Sequence, residues 1–366
     1  MAALALLLVL SADRGLVLEP HADGRVTAGA EWDSNANRVF GEGPGDAATR
    51  AELDLALSLD LTARDRIFVS AVVGVKRFFE VEDEDVVVQD FTLTSSHELG
   101  PFELGATGRL RSSHAREASR DFRLLGAGGF VTWRNGSFEL RLKAEGSRSD
   151  LYSIRELSYG APTLGVAANL GLGRRWMLQG SIDLALRHFD AGILQKVQVP
   201  QVDEPTLTYS RCDGSDGIGP PACNPSLRRD QLLELSVRAT YRSKILVSLE
   251  PGVRIDRSNS ELEDFVQYRI TGNLTAPLPY GFMLNFLGSI RLDRSDTYSE
   301  VIALLIDENL AQNRLEAGIS RVVASPISID LRYALYTNQS TSDVDSYVHQ
   351  TVYLGLCATL PSADTR

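Results

Sequence analysis

The feature that most constrains this chain is a two-residue alternation of apolar and polar side chains, which recurs almost everywhere between residues 24 and 360. Successive side chains of an extended strand point to opposite faces, so this pattern makes one face apolar and the other polar. In residues 51–61, Leu53, Leu55, Leu57, Leu59 and Leu61 share one face, while Glu52, Asp54, Ser58 and Asp60 share the other. Phe138, Leu140, Leu142 and Ala144 likewise oppose Glu139, Arg141, Lys143 and Glu145. Leu233, Leu235, Val237 and Ala239 oppose Glu234, Ser236, Arg238 and Thr240. Helical periodicity is scarce, and the chain reads as all-β.

Composition narrows the choice. The 366 residues include 37 Lys+Arg and 48 Asp+Glu, a net charge of −11, which argues against a nucleic-acid partner because phosphate neutralisation needs clustered cations. A hydrophobic fraction of 43% is too high for a disordered chain. The mean hydropathy is −0.09, and no apolar run is long enough for a spanning helix, which excludes a helical membrane protein. A transmembrane β-barrel survives this test, because strands that alternate lipid-facing and lumen-facing residues average to a hydropathy near zero.

Read in order, the pattern gives about sixteen strands, with fourteen to eighteen as the range, each of about 9 to 15 residues. They start near Val26, Ala51, Ile67, Val87, Phe102, Phe122, Phe138, Thr163, Trp176, Leu232, Ile245, Phe265, Phe282, Gln312, Ile327 and Tyr347. That is the length a tilted strand needs to cross a membrane, whereas soluble strands average about five or six residues. The connectors alternate in length. Short ones fall at 62–66, 99–101, 134–137, 171–175, 242–244, 277–281 and 324–326, with Asn135-Gly136 a strong hairpin signal. Longer polar ones fall at 33–49, 80–85, 113–119, 147–159, 189–229, 256–263, 293–309 and 338–346. Such alternation predicts an antiparallel up-and-down transmembrane barrel over residues 24–360, with short periplasmic turns, long extracellular loops and periplasmic termini. Residues 1–23 read as a signal peptide and short periplasmic lead, although no Lys or Arg precedes the apolar MAALALLLVL run, and residues 361–366 read as a tail. A soluble β-rich binding domain is the weaker alternative, because it would leave long strand edges unprotected.

Residues 30–40, AEWDSNANRVF, with Glu31, Asp33, Ser34, Asn35 and Asn37, resemble the first-strand signature of Gram-negative outer-membrane barrels of the beta-barrel porin 2 group. The resemblance implies an outer-membrane location and association with exopolysaccharide or exosortase systems. The partners expected on this reading are the lipid bilayer with lipopolysaccharide, the barrel-insertion machinery and envelope export components. Barrels of this kind usually end in an aromatic residue, whereas here the last strand is followed by PSADTR.

On the barrel reading the polar face lines the lumen. Its expected acidic residues are Glu31, Glu52, Asp54, Glu103, Glu139, Glu145, Asp183, Glu234, Glu250, Glu316 and Asp330. The expected basic residues are Lys76, Arg109, Arg123, Arg141, Lys143, Arg187, Arg238, Arg254, Arg269, Arg291, Arg314 and Arg332. Opposed charges can orient polar solutes in a pore, or can simply pair across strands and fill the interior. Phe68, Phe102, Trp133, Phe138, Trp176, Tyr280 and Phe282 lie near the short turns, where an aromatic girdle is expected. Cys212 and Cys223 sit in one Gly/Pro-rich stretch of the 189–229 loop, as for a disulfide in an oxidising compartment, and Cys357 is left over. The scattered histidines disfavour zinc. Asp213, Ser215 and Asp216 are a weak calcium-loop match, and the acidic run of Glu80, Glu82, Asp83, Glu84 and Asp85 reads as a solvated loop tip. His188 beside Asp190, and His349, lie near the outer ends of strands, where a rim catalytic histidine would be sought, and no nucleophile motif accompanies them. The expectation is a passive conduit for small solutes or a surface polymer, with no cofactor and no enzymatic chemistry, or else an occluded barrel serving an assembly system.

Overall fold

The computed structural model describes residues 19–36, 45–116, 121–152, 158–192, 194–199, 206–211, 227–260, 264–295, 313–338 and 347–360. The first half of the barrel consists of β1 (Glu19–Asp33), β2 (Asp46–Asp60), β3 (Asp65–Phe78), β4 (Val86–Leu99), β5 (Phe102–Ala115), β6 (Phe122–Asn135), β7 (Phe138–Leu151) and β8 (Tyr159–Leu172). After β9 (Trp176–Gly192) come two short strands, β10 (Leu194–Val199) and β11 (Thr206–Arg211). The second half follows with β12 (Leu227–Arg242), β13 (Leu246–Ser258), β14 (Phe265–Pro277), β15 (Phe282–Ser295), β16 (Asn313–Ala324), β17 (Ile327–Asn338) and β18 (Tyr347–Leu360).

Sixteen of these strands form one closed antiparallel barrel in which every neighbour in space is a neighbour in sequence, except at two places. One is the seam, where β1 pairs with β18 from Gly24 opposite Leu360 to Asp33 opposite Thr351. The other is the β9–β12 junction, where the long connection carries β10 and β11 as a separate two-stranded sheet. The 189–229 segment, read from sequence as loop, therefore contains strand at both ends and a hairpin between them. Cys212, Cys223, Asp213, Ser215 and Asp216 lie outside the described residues, as do residues 1–18 and 361–366.

Short connections join β2–β3, β4–β5, β6–β7, β8–β9, β12–β13, β14–β15 and β16–β17, all at the rim where β1 begins and β18 ends. Three have only two residues, after Leu99, Asn135 and Ala324, and in the first two the glycine has a positive φ, Gly100 at +61° and Gly136 at +59°. A positive φ suits the right-handed twist of the flanking strands and is free of strain in glycine.

The register fixes which side chains share a face, since residues directly opposite each other project to the same side. Leu53, Leu55 and Leu57 stand opposite Val73, Ala71 and Val69, which stand opposite Gln89, Phe91 and Leu93. This face is the outside. Leu93, Leu104, Leu125, Leu142, Leu164, Ile182, Val237, Leu249, Ile270, Ile290, Leu331 and Leu354 are all exposed on it. The buried residues are mostly polar, among them Glu31, Asp33, Arg228, Asp230, Asp256 and Arg291. A soluble protein exposes contiguous apolar patches of only a few hundred Å² at most, so an apolar surface all round a polar interior defines a membrane-spanning barrel. Among the described residues no helix is long and apolar enough to cross a membrane.

Phe102, Trp133, Phe138, Trp176 and Phe282 share the outer face near the short turns, where Trp133 meets Phe138 edge-on at 5.9 Å between centroids. Tyr280 lies on the turn itself, fully in the open at 87% exposure. Phe68 differs from the sequence reading. It stands opposite Ser58 and Thr94 on the inner face, because proximity to a turn does not determine parity and β3 carries its outward residues at 69, 71 and 73.

At the seam, Gly29 and Gly355 stand directly opposite each other, with the Tyr353 ring folded over Gly355. A Cβ on Gly29 would lie 2.3 Å from the Leu354 carbonyl oxygen, whereas one on Gly74 would meet nothing within 4 Å. Gly29→Ala is therefore expected to destabilise the barrel by about 1–3 kcal/mol through overpacking against backbone. Gly74→Ala is expected to be neutral or slightly stabilising. Heat-modifiable gel mobility measured against temperature checks the pair, and equal transition temperatures would rule out a close-packed seam.

Candidate functional site

The candidate site is the inner wall, where strand parity brings charged side chains from all round the barrel into one polar interior. Its residues fall into cross-strand clusters. At the long-loop end of the seam, Lys76 of β3 bridges Glu31 at 2.7 Å and Asp33 at 3.3 Å, both from β1. Asp33 also accepts from the Asn35 backbone N–H at 3.1 Å and pairs with His349 Nδ1 of β18 at 3.1 Å. The His349 ring stacks on Tyr336 at 4.5 Å between centroids, and Arg314 lies 5.5 Å from the centroid of that tyrosine. Arg50 bridges Glu31 at 3.4 Å and Glu52 at 3.2 Å, and Arg25 reaches both Glu52 and Asp54.

A second cluster lines β9, β12, β13 and β14 beneath the long connection. Arg187 bonds Asp256 at 3.1 Å, and Arg228 bonds Asp230 at 3.0 Å while its guanidinium covers the Phe189 ring. Arg254 lies over Phe265, and Arg187 over Tyr159. Lower on the same strands, Arg269 links Glu234 at 3.1 Å to Glu250, which also accepts from Arg238 Nε at 2.7 Å. Arg291 stands directly opposite Arg269, two like charges in one cross-strand pair. Such a pair is unfavourable on its own, and the reach of Arg269 toward β12 and β13 offsets it.

The third cluster spans β4 to β9. Arg109 bonds Asp90 at 3.1 Å, and Arg134 joins Glu103 at 2.5 Å to Glu139 at 3.1 Å. Arg141 donates to Thr132 at 2.9 Å with its guanidinium over Phe130. Lys143 reaches Asp183 at 2.7 Å across β8, where Gly165 lies between them in the same row and leaves the space for the bridge. Glu145 shares the face, opposite Gly128 and Thr163. On the far side, Arg314 pairs with Glu316, and Arg332 with Asp330 at 2.6 Å.

One of the expected wall residues is placed elsewhere. Arg123 has the parity of Leu125, Ala127 and Val131 and so stands on the outer face, at the long-loop end of β6, where it bonds Asp150 at 2.9 Å. The alternation that made it polar-facing in sequence ends above the apolar band, where both faces of a strand are wet. Sequence reading also missed Arg25, Arg50, Asp90, Arg228, Asp230 and Asp256, of which Arg228 and Asp256 fell in stretches taken as loop.

The histidines considered for catalysis are separated. His349 is buried against Asp33, whereas His188 is on the outer face and Asp190 bonds Arg148 instead. Cys357 is on the inner-face parity, half-buried and free. In the acidic run, Asp85 accepts from the Phe78 backbone N–H at 2.7 Å and Glu82–Glu84 form one 3-10 turn.

No protein-family model matches the sequence, and no curated protein matches it. Among solved structures the chain is similar to a bacterial polysaccharide outer membrane secretin, at 11% identity and TM-score 0.45, covering 93% of this chain and 98% of that one. It is similar to OmpF of Salmonella typhi at 9% identity and TM-score 0.48, covering 93% and 97%. It is also similar to the trimer form of OmpT, an outer membrane protein of Vibrio cholerae, at 9% identity and TM-score 0.46, covering 93% and 99%. The likeness is one of barrel fold.

The clusters differ in what their loss costs. Glu31 and Asp33 are nearly inaccessible, and although Arg50 and His349 stay beside them, Lys76→Met removes the cation they share, a loss of about 1.5–3 kcal/mol. Arg66, 56% exposed at the short-turn rim, bonds Asp60, and Arg66→Met is expected to cost about 0–1 kcal/mol. Urea unfolding of the inserted barrel followed by tryptophan fluorescence compares them, and similar midpoints would contradict a buried role for Lys76.

Proposed function

We propose that the chain is an outer-membrane barrel whose charged interior passes small polar solutes by passive transport, with no covalent chemistry. The observation that carries this reading is the inversion of ordinary burial: exposed leucine, isoleucine and valine surround a wall of arginines and carboxylates. A closed barrel of sixteen strands is in the size class that leaves an aqueous channel when its interior is polar. Charged groups of both signs on the wall favour hydrated solutes over apolar ones. The short-turn rim and both termini face the periplasm on this reading, and the long connections face outward. Polymer export and partnership with an envelope assembly system rest on the resemblance of residues 30–40 alone.

Planar-bilayer recording on the purified, refolded protein tests this. Stable, ohmic single-channel steps are expected, together with a shift from compact to extended gel mobility on heating. A barrel that inserts and shifts on heating but never conducts would overturn the conduit and favour the occluded assembly role. Recovery in the soluble fraction without heat-modifiable mobility would overturn the membrane barrel.

A further inference from the structure

At the long-loop end the outer face carries cations on several strands, and in one sector a guanidinium and an imidazole have no carboxylate against them among the described residues. At the long-loop end, Arg148 of β7, Gly160 of β8, His188 of β9 and Arg229 of β12 stand in one cross-strand row, continuous with Leu125 of β6. All share the parity of the exposed leucines beneath them, Leu164, Leu184 and Leu186. Arg123, just above, belongs to the same patch. Other cations stand on the outer face at this end, but they are paired: Arg257 of β13, opposite Gln231 of β12, with Asp264 at 3.0 Å, and Arg77 of β3 with Asp85 at 3.7 Å.

The partners of these groups separate them. Arg148 is held by Asp150 at 2.9 Å and by Asp190, and Arg123 by the same Asp150. His188 and Arg229 are exposed, and through their side chains they make no hydrogen bond or ion pair among the described residues. The patch thus offers one uncompensated guanidinium and one titratable imidazole, backed by an ion-paired network that fixes the arginine beside them.

A second, independent feature lies lower on the same strands. An apolar groove of about 680 Å³ opens on the outer wall of β8, β9, β12 and β13, lined by Val166, Gly180, Ile182, Leu235, Val237 and Pro251. The missing side chain at Gly180 creates it, and an added Cβ there would meet nothing closer than 3.9 Å. The groove spans two cross-strand rows, at Ile182 and at Gly180, about 20 and 26 Å along the strand from His188. At the tilt of about 40° usual for such barrels this is about 15 to 20 Å of depth, from the middle of a hydrocarbon core of about 30 Å to just past it. The groove therefore lies at the reach of the far end of a long acyl chain whose headgroup is held at the cations.

We propose that this sector is a binding site for a phosphorylated, multiply acylated glycolipid of the outer leaflet, its phosphate on Arg229 and His188 and one acyl chain in the groove at Gly180. The inference rests on the membrane reading above and on the long connections facing outward. Arginine forks match phosphate oxygens geometrically, and the bonds are charge-assisted. The groove adds selectivity for a lipid over free phosphate, which has nothing to place there.

Native mass spectrometry of the intact protein in mild detergent tests it, with bisphosphorylated lipid A, phosphatidylethanolamine and inorganic phosphate as probes. Lipid A adducts are expected to survive at activation energies that strip phosphatidylethanolamine. The double variant Arg229→Ala/His188→Ala is expected to weaken lipid A retention about tenfold, and Gly180→Val to weaken it while leaving phosphate binding unchanged. Heat-modifiable mobility of each variant establishes that it folds. Equal retention by the variants and the parent, or no preference over phosphatidylethanolamine, would overturn the site alone. Retention of phosphate without lipid would reduce it to an ion site and overturn the glycolipid. Failure of the parent to insert into vesicles would instead overturn the membrane reading on which the site rests.

Discussion

The rest of the structure depends on one requirement: in hydrocarbon every backbone N–H and C=O must find a partner within the protein. A helix meets it locally, and a sheet meets it only by closing on itself. Here β1 pairs on one side with β2 and on the other with β18, so the barrel has no edge. Closure then frees the side chains from any duty to bury apolar surface inside. The outer wall can be leucine, valine and isoleucine because lipid covers it, and the interior can hold charges because the pleat alternates. The paired glycines at the seam follow from the same requirement. They let the first and last strands approach closely enough for the ladder to run unbroken, with Tyr353 filling the space their missing side chains leave.

Most of this fold was legible in the sequence for a physical reason. Sequential hairpins make each strand's partner its neighbour, so the local two-residue pattern also specifies the topology. Strand starts at Phe102, Phe122, Phe138, Trp176, Phe265, Phe282, Ile327 and Tyr347 coincide with the observed ones. What failed lies where the local pattern carries no information. Above the apolar band both faces of a strand are wet, so β9 running on to Gly192 and β12 beginning at Leu227 leave no alternation to read. The buried cluster of Arg228, Asp230, Asp256 and Phe189 was hidden there. Phe68 and Arg123 failed for a related reason, since a residue type suggested a face that the register denied.

Contacts within the inner wall were less legible than the wall itself. Parity says that Lys76, Asp33 and His349 face inward, but only the register and the seam bring residues 316 positions apart into hydrogen-bonding contact. The same is true of Lys143 and Asp183, which meet because Gly165 is the residue between them. Pairing of this kind depends on which rows align, and one residue of slip would reverse every face.

Charge in this barrel therefore has two meanings, distinguished by parity. On the inner face a charge is surrounded by others and by water, and its typical fate is a cross-strand pair. Arg269 and Arg291 show the limit of that rule, since register sets them opposite each other and Arg269 satisfies itself diagonally, toward Glu234 and Glu250. On the outer face a charge has fewer such neighbours to draw on, and lipid tails below it offer nothing. Arg123 and Arg148 hold Asp150 and Asp190 beside them, whereas Arg229 has no carboxylate against it among the described residues. A guanidinium at the boundary of hydrocarbon without a carboxylate is costly unless the surrounding phase supplies an anion, and the headgroup layer is the phase that can. The unpaired cation, more than the paired ones around it, is what connects the outer wall to the chemistry of its leaflet.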